Sequence, residues 1–451
     1  MSRAAVRLAL AALVVLAALA PGAALGSQRG DVRLLANVPL PGYPASAYPH
    51  PNGNVYVGTY INPSGSSLPS RVLEYTSEGA LSRSWTVPGQ DLSGDHGIQV
   101  ATSDSKGRLV LLDNTPSRAL LLDTRTGEFT PYATFADLPT CAPVAPADPC
   151  SPAAQDDKPY ANYGAWGPDG SLYVTDYLQA VIWRVPPGGG AAQVWLADRR
   201  LDGNEFGTTG IALAADQKTL LVAQGSSATG LGATNPSSGK LYSVPIGADG
   251  KPGALTQIWE SSPADVPDGI GIAQSGKIYV ALAGGNQIAV LGPDGTEMER
   301  FSSPLFDTPS SAKFLGTRLE VPNQSYIAGD MSKMTLVDVE TGEPGLPELI
   351  PGAARDVTAP AVSRLKTKRS SGKVRVSYRL GEAARVSIAV QRLKAGRWVN
   401  VRSKAGTGRA GGNVVTLSLS GLKGKLCRVN VRAADDLGNT VHRVSGRFRV
   451  H

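Results

Sequence analysis

The residues of this chain most able to do chemistry recur at matching points of a repeated pattern. Six segments place one residue directly before a small one: Ala45-Ser46, His96-Gly97, Tyr163-Gly164, Thr209-Gly210, Asp268-Gly269 and Ser311-Ala312. Brought to one place, the first residues would offer a carboxylate, an imidazole, a phenol and two hydroxyls. A carboxylate facing an imidazole is the arrangement of an oriented general base, so Asp268 and His96 are the candidate catalytic pair. The same two could instead ligate a metal, with Asn204 or Glu205 as further oxygen donors. Thr209, Ser311 and Tyr163 are candidate substrate contacts, although Tyr163 and Trp166 also suit packing between repeats. The competing roles are plain ones: a tie to loop backbone for His96, and an Asp-Gly turn for Asp268.

These positions need elements that gather them, and the repeats supply those. Turn residues followed by a short apolar strand recur as PNGNVYVGT (51–59), DSKGRLVLLD (104–113), PDGSLYVTD (168–176), ADQKTLLVAQ (215–224), QSGKIYVALA (274–283) and LGTRLEVPN (315–323). Asn-Gly and Asp-Gly are strong hairpin signals because both positions tolerate positive φ. A further apolar run precedes each marker strand and one or two follow it, with no 3.6-residue stripe in between. Four short strands per unit of 40–60 residues is the period of a β-propeller blade. Six units predict an all-β fold, a six-bladed β-propeller over 27–343. Its inner strands would carry the six polar starts around one channel mouth, where a small-molecule or glycan ligand is expected. Either the segment 32–42 or LPELIP (346–351) is expected to close the ring as the outermost strand of the sixth blade.

Here the chain resembles a known family. VPDGIGIAQSGKIYVAL, NYGAWGPDGSLYVTDY and FGTTGIALAADQKTLLVA look like the regucalcin/gluconolactonase family of six-bladed propellers, which has relatives similar to strictosidine synthase. The resemblance spans most of 32–340, and Pro267-Asp268-Gly269 is its most specific piece. It implies a divalent metal, calcium or zinc, held by a Glu, an Asn and an Asp from three blades, and hydrolysis of a lactone or related ester. Asp268 matches the metal-binding Asp, and Asn162 matches an Asn on the substrate side. Ala45 stands at the Glu position and Thr209 at the metal-binding Asn position, so one ligand of three is retained. Two functions follow as expectations: a lactonase-type hydrolase with a remodelled site, or a non-catalytic propeller that binds a ligand at the same mouth.

Other motifs are missing. The sequence has no phosphate loop, dinucleotide fingerprint, paired-Cys zinc motif or Gly-x-Ser-x-Gly elbow. Residues 1–26 have the form of a secretory signal, with Arg3 and Arg7 ahead of an apolar run from Leu8 to Ala20 and a small-residue cleavage pattern at Ala24–Gly26. Export, with no transmembrane segment after cleavage, is therefore expected. In that compartment Cys141 and Cys150 are expected to form a local disulfide, and Cys427 to be a buried strand residue.

The chain's net charge of +7 is an average of two unlike parts. After a linker at 344–357, residues 358–451 alternate apolar and polar residues between Gly-rich turns, as in a small antiparallel β-sandwich. Its segments resemble bacterial immunoglobulin-like or fibronectin-III-like modules. This module holds 21 Lys and Arg against Glu382, Asp435 and Asp436, a net +18, whereas 27–357 carries −13. An anionic cell-envelope polymer is the expected partner of such a surface, and nucleic acid is not expected.

Overall fold

The computed structural model describes residues 28–60, 67–142, 148–203, 207–226, 238–326, 328–352, 360–382, 384–434 and 440–450. The signal sequence, Asn204, Glu205, Asp435 and Asp436 lie outside them. Six sheets, each built on four antiparallel strands and one of them with a fifth added, follow one another along the chain. Their innermost strands are Pro44–Pro49, Ile98–Ser103, Ala161–Trp166, Thr208–Leu213, Pro267–Ile272 and Lys313–Leu315. Each touches the next, and the last returns to the first, so the sheets form a closed six-bladed ring. Within the blades, the first and second strands are joined by short turns. Gly53 and Gly170 take φ of +87° and +80° in two of them, a conformation that a side chain at Cβ disfavours.

The core is a set of wedges between blades. Val110, Leu112, Trp166 and Trp183 pack between the second and third blades. Equivalent clusters fill the other junctions, including Ala36, Leu336, Val55 and Leu73 between the sixth and first. Both faces of each middle strand are thus buried, which is why those strands read as near-continuous apolar runs. Ring closure is made by Val32–Asn37, which pairs antiparallel with Thr335–Glu340 from Val32 opposite Val339 to Asn37 opposite Thr335. The competing segment is no strand. Leu346 instead donates its N–H to the Ile272 carbonyl beneath the ring.

The second blade carries an addition the repeats did not announce: Gly190–Ala191 joins its outer strand in parallel. Cys141 and Cys150 are joined in a disulfide in the loop that follows that blade. Beyond the linker, strands Val362–Ser370, Lys373–Leu380 and Gly411–Ser418 form one sheet. Arg397–Gly408, Ala384–Lys394, Leu426–Ala434 and Thr440–Val444 form the other, and a single apolar core that includes Cys427 lies between them. Among the described residues, no helix is long and apolar enough to cross a membrane.

Candidate functional site at the channel mouth

The inner strands are irregular where they begin. Register shifts fall between Pro44 and Ser46, Ala161 and Gly164, Thr208 and Ile211, and Pro267 and Ile270. A bulge leaves a residue out of the ladder and re-aims its side chain. Ala45, Asn162, Tyr163, Thr209 and Asp268 are the residues released in this way. The small residue after each ring position lets neighbouring strands approach. A Cβ on Gly210 would stand 2.4 Å from the Asp268 carbonyl oxygen, and one on Gly269 would stand 2.7 Å from the Ser311 Cα. His96 and Ser311 precede their strands rather than lying within bulges.

Hydrogen bonding separates these residues into two groups. Thr209 donates its hydroxyl to the Pro267 carbonyl at 2.9 Å, tying the fourth blade to the fifth. The Ser311 hydroxyl accepts the Ala47 N–H at 3.2 Å, tying the sixth to the first. His96 is buried, with Nδ1 3.0 Å from the Gly94 carbonyl and Nε2 2.8 Å from the Leu68 carbonyl. Both ring nitrogens face backbone acceptors, which is the geometry of a loop tie and leaves neither directed at a substrate. The Asn162 carbonyl oxygen accepts from Gln99 Nε2 at 2.9 Å.

Tyr163 does something its position in sequence did not reveal. Its hydroxyl donates to the Ser310 carbonyl at 2.6 Å and lies 3.1 Å from the Ala45 carbonyl. Those partners belong to the sixth and first blades, on the far side of the ring from the third. The phenol therefore spans the channel and floors the mouth above it.

Asp268 stands beside this crossbeam. The residue is partly exposed, yet its Oδ1 is sealed from solvent and has no hydrogen-bond partner among the described residues. Burial pushes its carboxyl well above the usual carboxylate range, with the nearby Tyr163 hydroxyl acting in the other direction. The contrast with Asp176 is instructive. That carboxylate is also buried and shifted upward, but it accepts from Trp183 Nε1 at 2.8 Å and from the backbone N–H groups of Tyr160, Leu178 and Gln179. Asp113 likewise takes Gln90 and Arg118. Asp176 and Asp113 hold loops, whereas Asp268 Oδ1 holds none among the described residues.

Three more residues share that condition at the same mouth. Tyr60 Oη, Gln99 Oε1 and both side-chain polar atoms of Asn114 are buried with no partner among the described residues. Tyr60 links them: Asn114, Gln99, Tyr160 and Asp268 all act on its hydroxyl, which burial holds above its ordinary range. Tyr160 is raised by burial and by Tyr60 beside it. None of these four was singled out by sequence reasoning. The available signal was the polar residue closing an otherwise apolar second strand, as in LVLLDN and LYVTD.

Among the described residues, the donor set does not suit a divalent cation. Ala45 brings no ligand and, among the described residues, the Thr209 hydroxyl is donated elsewhere. Among the described residues, no three His, Cys, Asp or Glu side chains gather as a metal site. A cavity of about 220 Å³ at the opposite end of the channel is walled by Trp166, Ile270, Ile272, Phe314 and Leu346. Its ion pair, Lys313 with Glu348 at 2.8 Å, is closed on itself.

Comparison with known proteins bears on the fold and the family. The family model described as SMP-30/Gluconolactonase/LRE-like region matches residues 68–321. No curated protein matches the chain significantly. Among solved structures, a calcium-binding regucalcin from Agrobacterium tumefaciens superposes with a TM-score of 0.50 at 16% identity, covering 72% of this chain and 97% of its own. Virginiamycin B lyase from Staphylococcus aureus gives 0.43 at 14% identity, with 77% and 95% covered. The PQQ-bound aldose sugar dehydrogenase of Streptomyces coelicolor gives 0.45 at 15% identity, with 69% and 98% covered. At such identities the likeness is one of fold.

Proposed function

This chain belongs to the SMP-30/gluconolactonase/LRE-like family, and from that premise we propose that its channel mouth takes up a neutral, hydroxyl-bearing small molecule, a sugar lactone or related ester, without a metal. The observation that carries this reading is the convergence of buried polar atoms from Tyr60, Gln99, Asn114 and Asp268 that have no partner among the described residues. Each such group costs the fold about 1–3 kcal/mol unless something pairs with it. A ligand with several hydroxyls and a carbonyl can satisfy donors and acceptors together. Charge supports neutrality: the desolvated Asp268 carboxyl offers an anion no countercharge.

Asp268 is also the group able to act on a bound lactone. With burial raising its carboxyl well above the usual carboxylate range, it can protonate the carbonyl oxygen as water adds to the carbonyl carbon. The added water gives one proton to the ring oxygen as the ring C–O bond breaks, and a hydroxyl on the former carbonyl carbon returns a proton to the Asp268 carboxylate, leaving the free hydroxyl and carboxyl groups of the product. A second reading, binding without turnover, is favoured by His96, whose nitrogens are both engaged. Export is part of the proposal too, supported by the form of residues 1–26 and by the Cys141–Cys150 disulfide.

Calorimetry with a panel of neutral lactones and their ring-opened anions, with and without chelator, tests all of this. Neutral ligands should bind, chelator should change nothing, and Asp268→Ala should weaken binding about tenfold. Asp268→Asn should keep binding while abolishing turnover, if turnover occurs. Stoichiometric metal in the purified protein, or preference for the anions, would overturn the reading.

A further inference from the structure

The tail module carries a surface whose order goes beyond its charge count. In the three-stranded sheet, cross-strand partners set out rows on the solvent face: Ser363 with Arg379, Lys366 with Ser377, Lys368 with Arg375, and Ser370 with Lys373. The third strand continues these rows with Gly412, Val414, Thr416 and Ser418. Every row therefore holds at least one cation. Successive rows on one face are two residues apart, about 6.6–6.8 Å, so Arg379, Lys366, Lys368, Arg375 and Lys373 form a stripe of about 20 Å across four rows. All five side chains are exposed, and none makes an ion pair or hydrogen bond among the described residues. The three strands contain no Asp or Glu at all. By contrast, Arg402 and Arg428 on the second sheet are turned to the Ser420 carbonyl and to Gln391 and Trp398.

We propose that this face is a docking surface for a linear polyol-phosphate polymer, a flexible polyanion whose phosphodiester charges fall into step with the rows. Charge complementarity is the argument. Five like charges on one sheet repel one another in the absence of a counterion, and a polymer that neutralises them releases the small ions it displaces. Lysine ammonium and arginine guanidinium both bind phosphate, the first as a point charge and the second as a fork. Stacking is absent from this face, because Tyr378 is turned into the core and Trp398 belongs to the other sheet. Single-stranded nucleic acid, which needs aromatic platforms, is therefore poorly served.

The test uses the full chain and soluble poly(glycerol phosphate), with affinity measured across a salt series. The triple variant Lys368→Gln, Arg375→Gln, Arg379→Gln should lose at least tenfold in affinity, and the slope of log affinity against log salt should fall by about two to three. A control triple on the second sheet, Lys394→Gln, Arg397→Gln, Lys404→Gln, removes the same charge and should lose less than threefold. Equal losses in the two triples would reduce the effect to bulk charge and overturn the stripe. Tighter binding of single-stranded DNA at the same salt, or no polymer binding at low salt, would overturn the partner.

Discussion

Glu320→Gln should stabilise this propeller at neutral pH, and by an amount the closing blade dictates. In that blade Arg33 of the first strand, Asp338 and Glu320 lie side by side on three adjacent strands. Asp338 accepts from Arg33 at 2.6 Å and pairs with Arg318 as well. Glu320 is fully buried, its Oε2 has no partner among the described residues, and a second carboxylate faces it. Like charges directly opposite in a sheet repel. Burial first, and Asp338 next, raise its carboxyl from 4.5 to about 8, against the pull of Arg385, Arg318 and Arg33. The folded-state value lies above the unfolded one, so stability is greatest below pH 4.5 and is lost as pH climbs towards 8. Each pH unit in that window costs about 1.4 kcal/mol, which comes to about 3 kcal/mol by pH 7. An amide carries no such penalty. The variant should match the parent near pH 4.5 and exceed it by about 3 kcal/mol at pH 7. Urea unfolding followed by tryptophan fluorescence reads this directly, because every Trp except Trp398 lies in the propeller. Asp338→Asn should behave oppositely and destabilise, since two guanidiniums depend on that carboxylate. If Glu320→Gln lowers stability at pH 8, Glu320 is ionised and paired with the arginines, and the reasoning fails.

Two further substitutions test the mouth. Tyr163→Phe removes the crossbeam's hydroxyl, but the Ser310 carbonyl keeps the Gly269 N–H and the Ala45 carbonyl keeps the Ser310 hydroxyl. The loss should therefore be about 1 kcal/mol, against about 3–5 kcal/mol for Tyr163→Ala, which empties the channel; equal losses in thermal unfolding would contradict a phenol that fills it. His96→Ala should cost about 1 kcal/mol in stability through its N–H tie to a loop carbonyl and leave lactone affinity within about twofold. Intact stability with lost binding would return the imidazole to the site.

What could be read from sequence, and what could not, divides along the range of the interactions involved. The six blades were legible because a turn and an alternating or wholly apolar strand are local signatures, repeated. The closing strand was narrowed to two segments, and only pairing with Thr335–Glu340 selected Val32–Asn37. The mouth positions were legible for a related reason: a small residue after each one marks where strands crowd together, as the close approach at Gly210 and Gly269 bears out. The partners of those side chains were not legible. Whether His96 faces a substrate or the Leu68 carbonyl depends on where a loop 28 residues away passes. Tyr163 crosses to a carbonyl 147 residues further on. Likewise, Tyr60, Gln99 and Asn114 come from an inner strand and the ends of two others, and acquire meaning only when found together without partners. Residue type is therefore a poor guide to role in this mouth. Asp176 and Asp268 are both buried carboxyls at strand ends, and four donors make the first a fastener. The sealed Oδ1 of the second has no such donors among the described residues, and on that difference rests the proposal of chemistry at Asp268.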